Sequence, residues 1–227
     1  MKSIGIEKGK PLSPDAQTRE TLSASAREAH ALLESRYESV FTPSYFDNNR
    51  WALPAFPDYL KAAPTGYTLP DSYPIDSRGL VFSFAFFTPK RLGEGQFYLM
   101  TVKDRDGRNF NDASNYRLKV PADAHVRQYW SATVYDRATH ALIRDLPRSG
   151  RGSQSPGLQK NIDGSVDIYL GSDEPRGKET NWVPTRAGGE FEILFRFYGP
   201  TKPLFDKSWK LPDVEKLEPS AGGRALQ

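Results

Sequence analysis

The feature that most constrains the fold is an alternation of apolar and polar side chains over short stretches set off by turn residues. Phe191, Ile193, Phe195 and Phe197 alternate with Glu190, Glu192, Leu194, Arg196 and Tyr198, the period of a strand with one buried face. Along Val126 to Asp136, Val126, Gln128, Trp130, Ala132 and Val134 share one face, and Arg127, Tyr129, Ser131, Thr133 and Tyr135 share the other. Val166, Ile168 and Leu170 alternate with Ser165, Asp167 and Tyr169, and Gly95–Val102 and Tyr116–Val120 read as further strands. From Gly79 onward, Leu80, Phe82, Phe84 and Phe86 alternate with Val81, Ser83, Ala85 and Phe87; both faces are largely apolar, which predicts a central strand. Asp-Gly, Pro and Gly signals separate these runs, and no helical period lies between them. The prediction is an all-β protein, an antiparallel jelly roll or β-sandwich.

The amino-terminal third reads differently. Ile4 to Leu12 carries two glycines and a proline and reads as a connector, without the apolar run of a secretory signal. Ser13-Pro14-Asp15 then opens a helix, with Ser13 as the expected cap and Pro14 at the first helical position. Leu22, Ala26, Ala29, Leu33, Tyr37 and Val40 follow at helical spacing, and Thr42-Pro43 ends the run. Residues 43–78 lack periodicity apart from one short helix expected near Pro57–Lys61. Their aromatics, Tyr45, Phe46, Trp51, Phe56 and Tyr59, imply packing, either as a strap around the main domain or as a contact surface for a partner. The carboxy-terminal segment 200–217, with Phe205 and Trp209, is expected to fold back over the sandwich. The expected organisation is a connector, helix and irregular strap over 1–78, a jelly-roll or β-sandwich domain over 79–217 and a frayed tail over 218–227.

Composition narrows the chemistry. The 227 residues include no cysteine, which excludes disulfides, thiolate metal sites, iron–sulfur clusters and cysteine nucleophiles. A net charge of +3 from 31 basic and 28 acidic residues gives no nucleic-acid footprint. No apolar run approaches the roughly 20 residues of a transmembrane helix.

Three stretches can carry function. The Tyr129/Ser131/Thr133/Tyr135 face is a polar, aromatic strip of the kind that stacks sugars or flat ligands, or it is a solvated outer face. Arg196 and Tyr198, or Asp167 and Tyr169, extend it if their strands are neighbours. The loop from Asp145 to Gly164 holds Arg148, Arg151, Ser153, Gln154, Ser155 and Lys160 among glycines; it suits a carboxylate or phosphate, or it is a mobile surface loop. Asp104 to Asp112 is similar to a calcium loop but lacks the third acid and the closing glutamate, so a hairpin turn at Asp106-Gly107 is expected instead. His30, His125 and His140 show no metal-ligand spacing, and a Ser153/His140/Asp136 triad lacks a nucleophile elbow.

Gln128–Asp136, Ser153–Ser155, Asn161–Tyr169, Lys178–Trp182 and Phe195–Pro200, in this order, resemble the bacterial domain-of-unknown-function 1214 family over about residues 80–215. That family is usually the carboxy-terminal half of a tandem protein whose first half is a second domain of unknown function, the 1254 family, and Ile4–Pro11 resembles the joint between them. The resemblance implies a β-rich, jelly-roll-like fold, a missing partner domain, and a periplasmic or cell-envelope location, although this chain shows no signal peptide. It implies no established activity. Its motif residues here are Tyr129, Trp130, Tyr135, Asp136, Ser153, Gln154, Asn161, Asp163, Gly164, Asn181, Trp182, Arg196, Tyr198 and Gly199.

The function expected is therefore a binding module for a polar or carbohydrate-like ligand, or for a partner domain or a second copy of itself. The alternative is a hydrolase or lyase using tyrosine, arginine and carboxylates in the sandwich mouth. A third is an assembly subunit docking through the strap. The candidate ligand residues are Tyr129, Ser131, Tyr135, Arg144, Ser153, Gln154, Asn181, Arg196 and Tyr198, with no metal, no cofactor, no nucleic acid and no transmembrane segment expected. An enzyme predicts an acid and base converging in a pocket; a binding module predicts an open aromatic groove.

Overall fold

The alternating runs become two four-stranded sheets, seen in a computed structural model that describes residues 5–66, 68, 74–85, 95–186 and 188–218. The chain divides into two compact units, Met1–Ser39 and Val40–Gln227. The first holds helix α1 (Ala16–Tyr37), whose cap is Asp15 rather than Ser13: the Asp15 carboxylate accepts from Thr18 N–H at 2.7 Å. A carboxylate bonds an orphan amide and also faces the positive helix end, so it outcompetes the serine two residues earlier. The expected apolar stripe is mostly open, since Ala26 and Ala29 are exposed and only Tyr37 is buried within the helix.

The second unit contains the sheets. Strands β1 (Gln96–Thr101), β2 (Tyr116–Val120), β3 (Val126–Asp136), β4 (Gly150–Gly152), β5 (Val166–Gly171), β6 (Trp182–Pro184), β7 (Phe191–Pro200) and β8 (Glu215–Lys216) pair in the orders β1-β7-β3-β4 and β6-β5-β2-β8. All pairs are antiparallel except β5–β6. Registers place Tyr98, Arg196 and Ser131 in one row across the first sheet and Gln96, Tyr198 and Tyr129 in the next. The side-chain period of two sends their neighbours the other way. Thus Leu99, Phe195, Phe197, Trp130, Ala132 and Val134 meet Leu118, Val120, Ile168 and Leu170 of the second sheet in one buried core. Each such side chain contributes roughly 1.5–3 kcal/mol on burial, so this shared core makes the two sheets a β-sandwich.

Segments outside the strands complete that core. Phe46 and Trp51 are fully buried in it; Trp51 Nε1 donates to the Pro212 carbonyl at 2.9 Å, and Ala52 bonds Met100 in both directions at 2.9 Å, beside β1. The carboxy-terminal segment folds back as expected, burying Leu204, Trp209, Leu211 and Val214. At Asp104–Gly107 a turn forms: Gly107 N–H donates to Asp104 O, Gly107 has φ 83°, and the Asp104 carboxylate takes the Arg108 amide at 3.0 Å. That carboxylate serves the hairpin main chain, the opposite of a calcium ligand facing outward.

One expectation is overturned. The central strand predicted from Gly79 is instead part of helix α3 (Ile75–Ala85), and residues 86–94 lie outside the described residues, as does the tail 219–227. An apolar run without a polar face carries no period to tell strand from helix. The start signal decides: the Pro74 carbonyl accepts Arg78 N–H at 3.0 Å, Asp76 sits in the first turn, and Ser77 Oγ donates to Asp58 of α2 (Pro57–Ala62) at 2.8 Å. Leu80 and Val81 are buried, whereas Phe82 is 68% exposed.

Candidate functional site

The outer face of the first sheet gathers five of the predicted site residues. Tyr129, Ser131 and Tyr135 come from β3, and Arg196 and Tyr198 from β7, because β7 lies beside β3 with Tyr129 opposite Tyr198 and Ser131 opposite Arg196. Asp167 and Tyr169 do not extend the strip; β5 belongs to the other sheet.

The strip has an open end and a closed end. At the open end the half-buried Tyr129 and Tyr198 rings lie 5.4 Å apart at 42°, and Tyr98 Oη donates to Gln96 Oε1 at 2.8 Å. The edge strand β4 passes alongside; a Cβ at Gly152 would stand 2.6 Å from the Trp130 carbonyl, so glycine is what admits this approach. Burial, with the neighbouring Tyr198 second, pushes the Tyr98 phenol up to about 12. It therefore stays protonated and remains a donor.

Toward the closed end, Arg196 donates through Nη1 to Thr133 Oγ1 at 2.8 Å and through Nη2 to the Tyr135 hydroxyl. Its guanidinium carbon stands 5.4 Å from the Tyr98 ring centre and 5.7 Å from that of Tyr135. Opposite Tyr135 sits Glu192, with no solvent exposure, and its two oxygens lie 3.1 and 3.2 Å from His140 Nδ1. Ser131 and Tyr135 are buried here too. Sequence reasoning missed this pair. The only signal for it is an acid lodged inside the apolar run Phe191-Glu192-Ile193.

The remaining candidates fall elsewhere. Asn181 is buried and staples the chain to itself: Oδ1 accepts from Gln159 N at 2.8 Å, and Nδ2 donates to the carbonyls of Gln159 and Asp167. Ser153 continues the β3–β4 ladder, its N–H donating to Trp130 O at 2.9 Å and its Oγ accepting from Trp130 N at 3.2 Å. Gln154 is exposed and donates to the Gln128 carbonyl. Arg144 is exposed, with its carbonyl taking the Arg186 guanidinium at 3.1 Å. Arg148 reaches the carbonyls of Glu179 and Trp182. The hypothetical triad is not assembled: Asp136 caps its own turn through Thr139, His140 pairs with Glu192, and Ser153 lies beside Trp130. Among the described residues no three His, Asp or Glu side chains gather as a metal site.

The fold is thus that of an antiparallel-rich β-sandwich domain with a polar, aromatic outer face. Residues 95–202 match the model of the family described as protein of unknown function (DUF1214). No curated protein matches the chain. Among solved structures, it is similar to the VPA0106 protein of Vibrio parahaemolyticus, at 19% identity and a TM-score of 0.52 over 96% of this chain and 49% of that one. A putative uncharacterized protein of Burkholderia cenocepacia matches at 18% identity and a TM-score of 0.37, over 88% of this chain and 54% of that one. The chain spans about half the length of these structures.

Proposed function

We propose that the domain is a binding module whose Tyr129–Tyr198 pair is the platform for a polar, carbohydrate-like ligand. The observation that carries this reading is the contrast in freedom along the strip: the two rings are half open, while Arg196 behind them is held by Thr133 and Tyr135. A platform whose supporting groups are already locked loses little entropy when a ligand stacks on it. The Gln96 amide, oriented by the neutral Tyr98 phenol, supplies hydrogen bonds at its edge. Calorimetric titration with a panel of oligosaccharides tests the idea. At least one sugar binds, and Tyr129→Ala weakens it by roughly tenfold, the order of one aromatic contact, with little change in melting temperature. Failure of every sugar, or equal binding by the variant, overturns it.

One observation favours the hydrolase or lyase reading as well. A buried carboxylate 3.1 Å from His140 Nδ1 orients the ring, the carboxylate–imidazole pairing by which acid–base catalysts position a histidine. For that reading, turnover of a glycoside or ester probe is abolished in His140→Gln and retained in Tyr129→Ala; turnover that survives His140→Gln ends it.

A further inference from the structure

The open end of the sandwich, away from the aromatic strip, holds a recess of about 350 Å³ between the two sheets. Trp130, Leu158 and Val166 form its apolar wall, and His125, Ser153 and Lys160 bring polar atoms to it from three separate segments. Its geometry is held at a backbone cost. His125 adopts φ 30°, a region a non-glycine residue enters only when its surroundings compel it. Those surroundings are visible: the His125 carbonyl accepts from Thr201 N at 2.9 Å and Thr201 Oγ1 at 3.2 Å, and its ring meets Trp209 edge-on at 5.7 Å. Trp209 Nε1 also donates to Asp123 Oδ1 at 3.2 Å, so the one acid at the rim is turned toward the indole and toward His125, 3.7 Å away.

The donors left over indicate the ligand. Ser153 Oγ accepts from Trp130 N–H and so keeps its own proton to give. Lys160 is exposed and has no ion-pair or hydrogen-bond partner among the described residues. An apolar wall faced by a hydroxyl donor and an ammonium suits a molecule with an apolar body and one anionic, acceptor-only end. We propose that this recess binds a small carboxylate with an apolar body, its carboxylate at Lys160 and Ser153 and its body against Trp130. This site is separate from the Tyr129–Tyr198 platform, because Trp130 and Tyr129 point to opposite faces of β3.

Hexanoate and phenylacetate are the probes, with 1-hexanol and inorganic phosphate as comparisons, read through the indole N–H resonance of Trp130 in the intact chain. Either carboxylate shifts that resonance saturably; hexanol binds roughly tenfold more weakly, having lost the charge-assisted bonds, and phosphate, lacking the apolar body, is weaker still. Lys160→Gln, on an exposed side chain, leaves the melting temperature unchanged and weakens hexanoate about tenfold. Ser153→Ala weakens it by a smaller factor. Absence of a saturable Trp130 shift with both carboxylates overturns the proposal. So does equal binding of hexanol and hexanoate, phosphate binding as tightly as hexanoate, or full affinity in Lys160→Gln.

Discussion

Two halves of one strand face have opposite fates. At the start of β3, Tyr129 stands half open beside Tyr198; a few residues on, Tyr135 is buried beside Arg196, Glu192 and His140. Both tyrosines point the same way from the same strand, so the alternation that placed them cannot account for the difference. Tyr129 packs against Gly152 of the edge strand β4, whose missing side chain makes room for its ring. Tyr135 lies opposite a carboxylate that has no exposure at all. Periodicity assigns a side chain to a face; what covers that face decides between ligand contact and internal support.

The largest expected effect tests the closed half. Glu192→Ala removes the carboxylate that His140 Nδ1 faces and costs about 3–5 kcal/mol in chemical denaturation, the usual result of breaking a buried pair from one side. A loss below about 1 kcal/mol would mean that the pair is solvated and that the two halves are alike. Tyr135→Phe removes the hydroxyl that takes Arg196 and costs about 1–3 kcal/mol, with Thr133 still bonded. Tyr129→Ala, in the open half, shifts stability far less than Tyr135→Ala; equal losses from the two would erase the contrast.

Two titrations sharpen it further. The Tyr98 phenol is raised, so the folded state holds its proton when the unfolded chain has begun to release it at about 10. Its contribution is complete below pH 10 and is lost as pH rises through about 12, which absorbance at 295 nm follows as a late phenolate step that Tyr98→Phe removes. The smallest effect belongs to the exposed Asp163. Its carboxylate, bonded foremost by Ser165 and then by Lys119, is lowered to about 2, so its contribution is present above the ordinary carboxylate range and is lost as pH falls toward 2. The difference in melting temperature between the parent and Asp163→Ala should be constant near neutrality and vanish below about pH 2.

Much of the sandwich was legible from residue order. The runs at Tyr116–Val120 and Val126–Asp136 are strands with those ends, because a polar residue at every second position is the period of a strand with one apolar face. Leu80–Phe87 was not legible: with both sides apolar, the choice between strand and helix passed to Pro74, Asp76 and the Ser77–Asp58 bond. In the candidate strip, residue order placed Tyr129 and Tyr135 on one side of β3 and left open which strand would adjoin it. The pairing of β7 with β3 brought Arg196 and Tyr198, and it put Glu192 opposite Tyr135. Asn181, singled out as a pocket residue, is tied to Gln159 and Asp167, partners 22 and 14 positions away.

By itself, then, the sequence of this protein determined the alternating strands β1, β2, β3, β5 and β7 and the turns beside them, since those follow from interactions within a few residues. Tertiary structure alone decided which strands became neighbours, which parts of an outer face were closed, and where a recess remained between the sheets. The physical reason is reach. A period of two acts along one chain segment, whereas Glu192 meeting His140, or Trp209 bracing His125, depends on segments that only the packed core brings together.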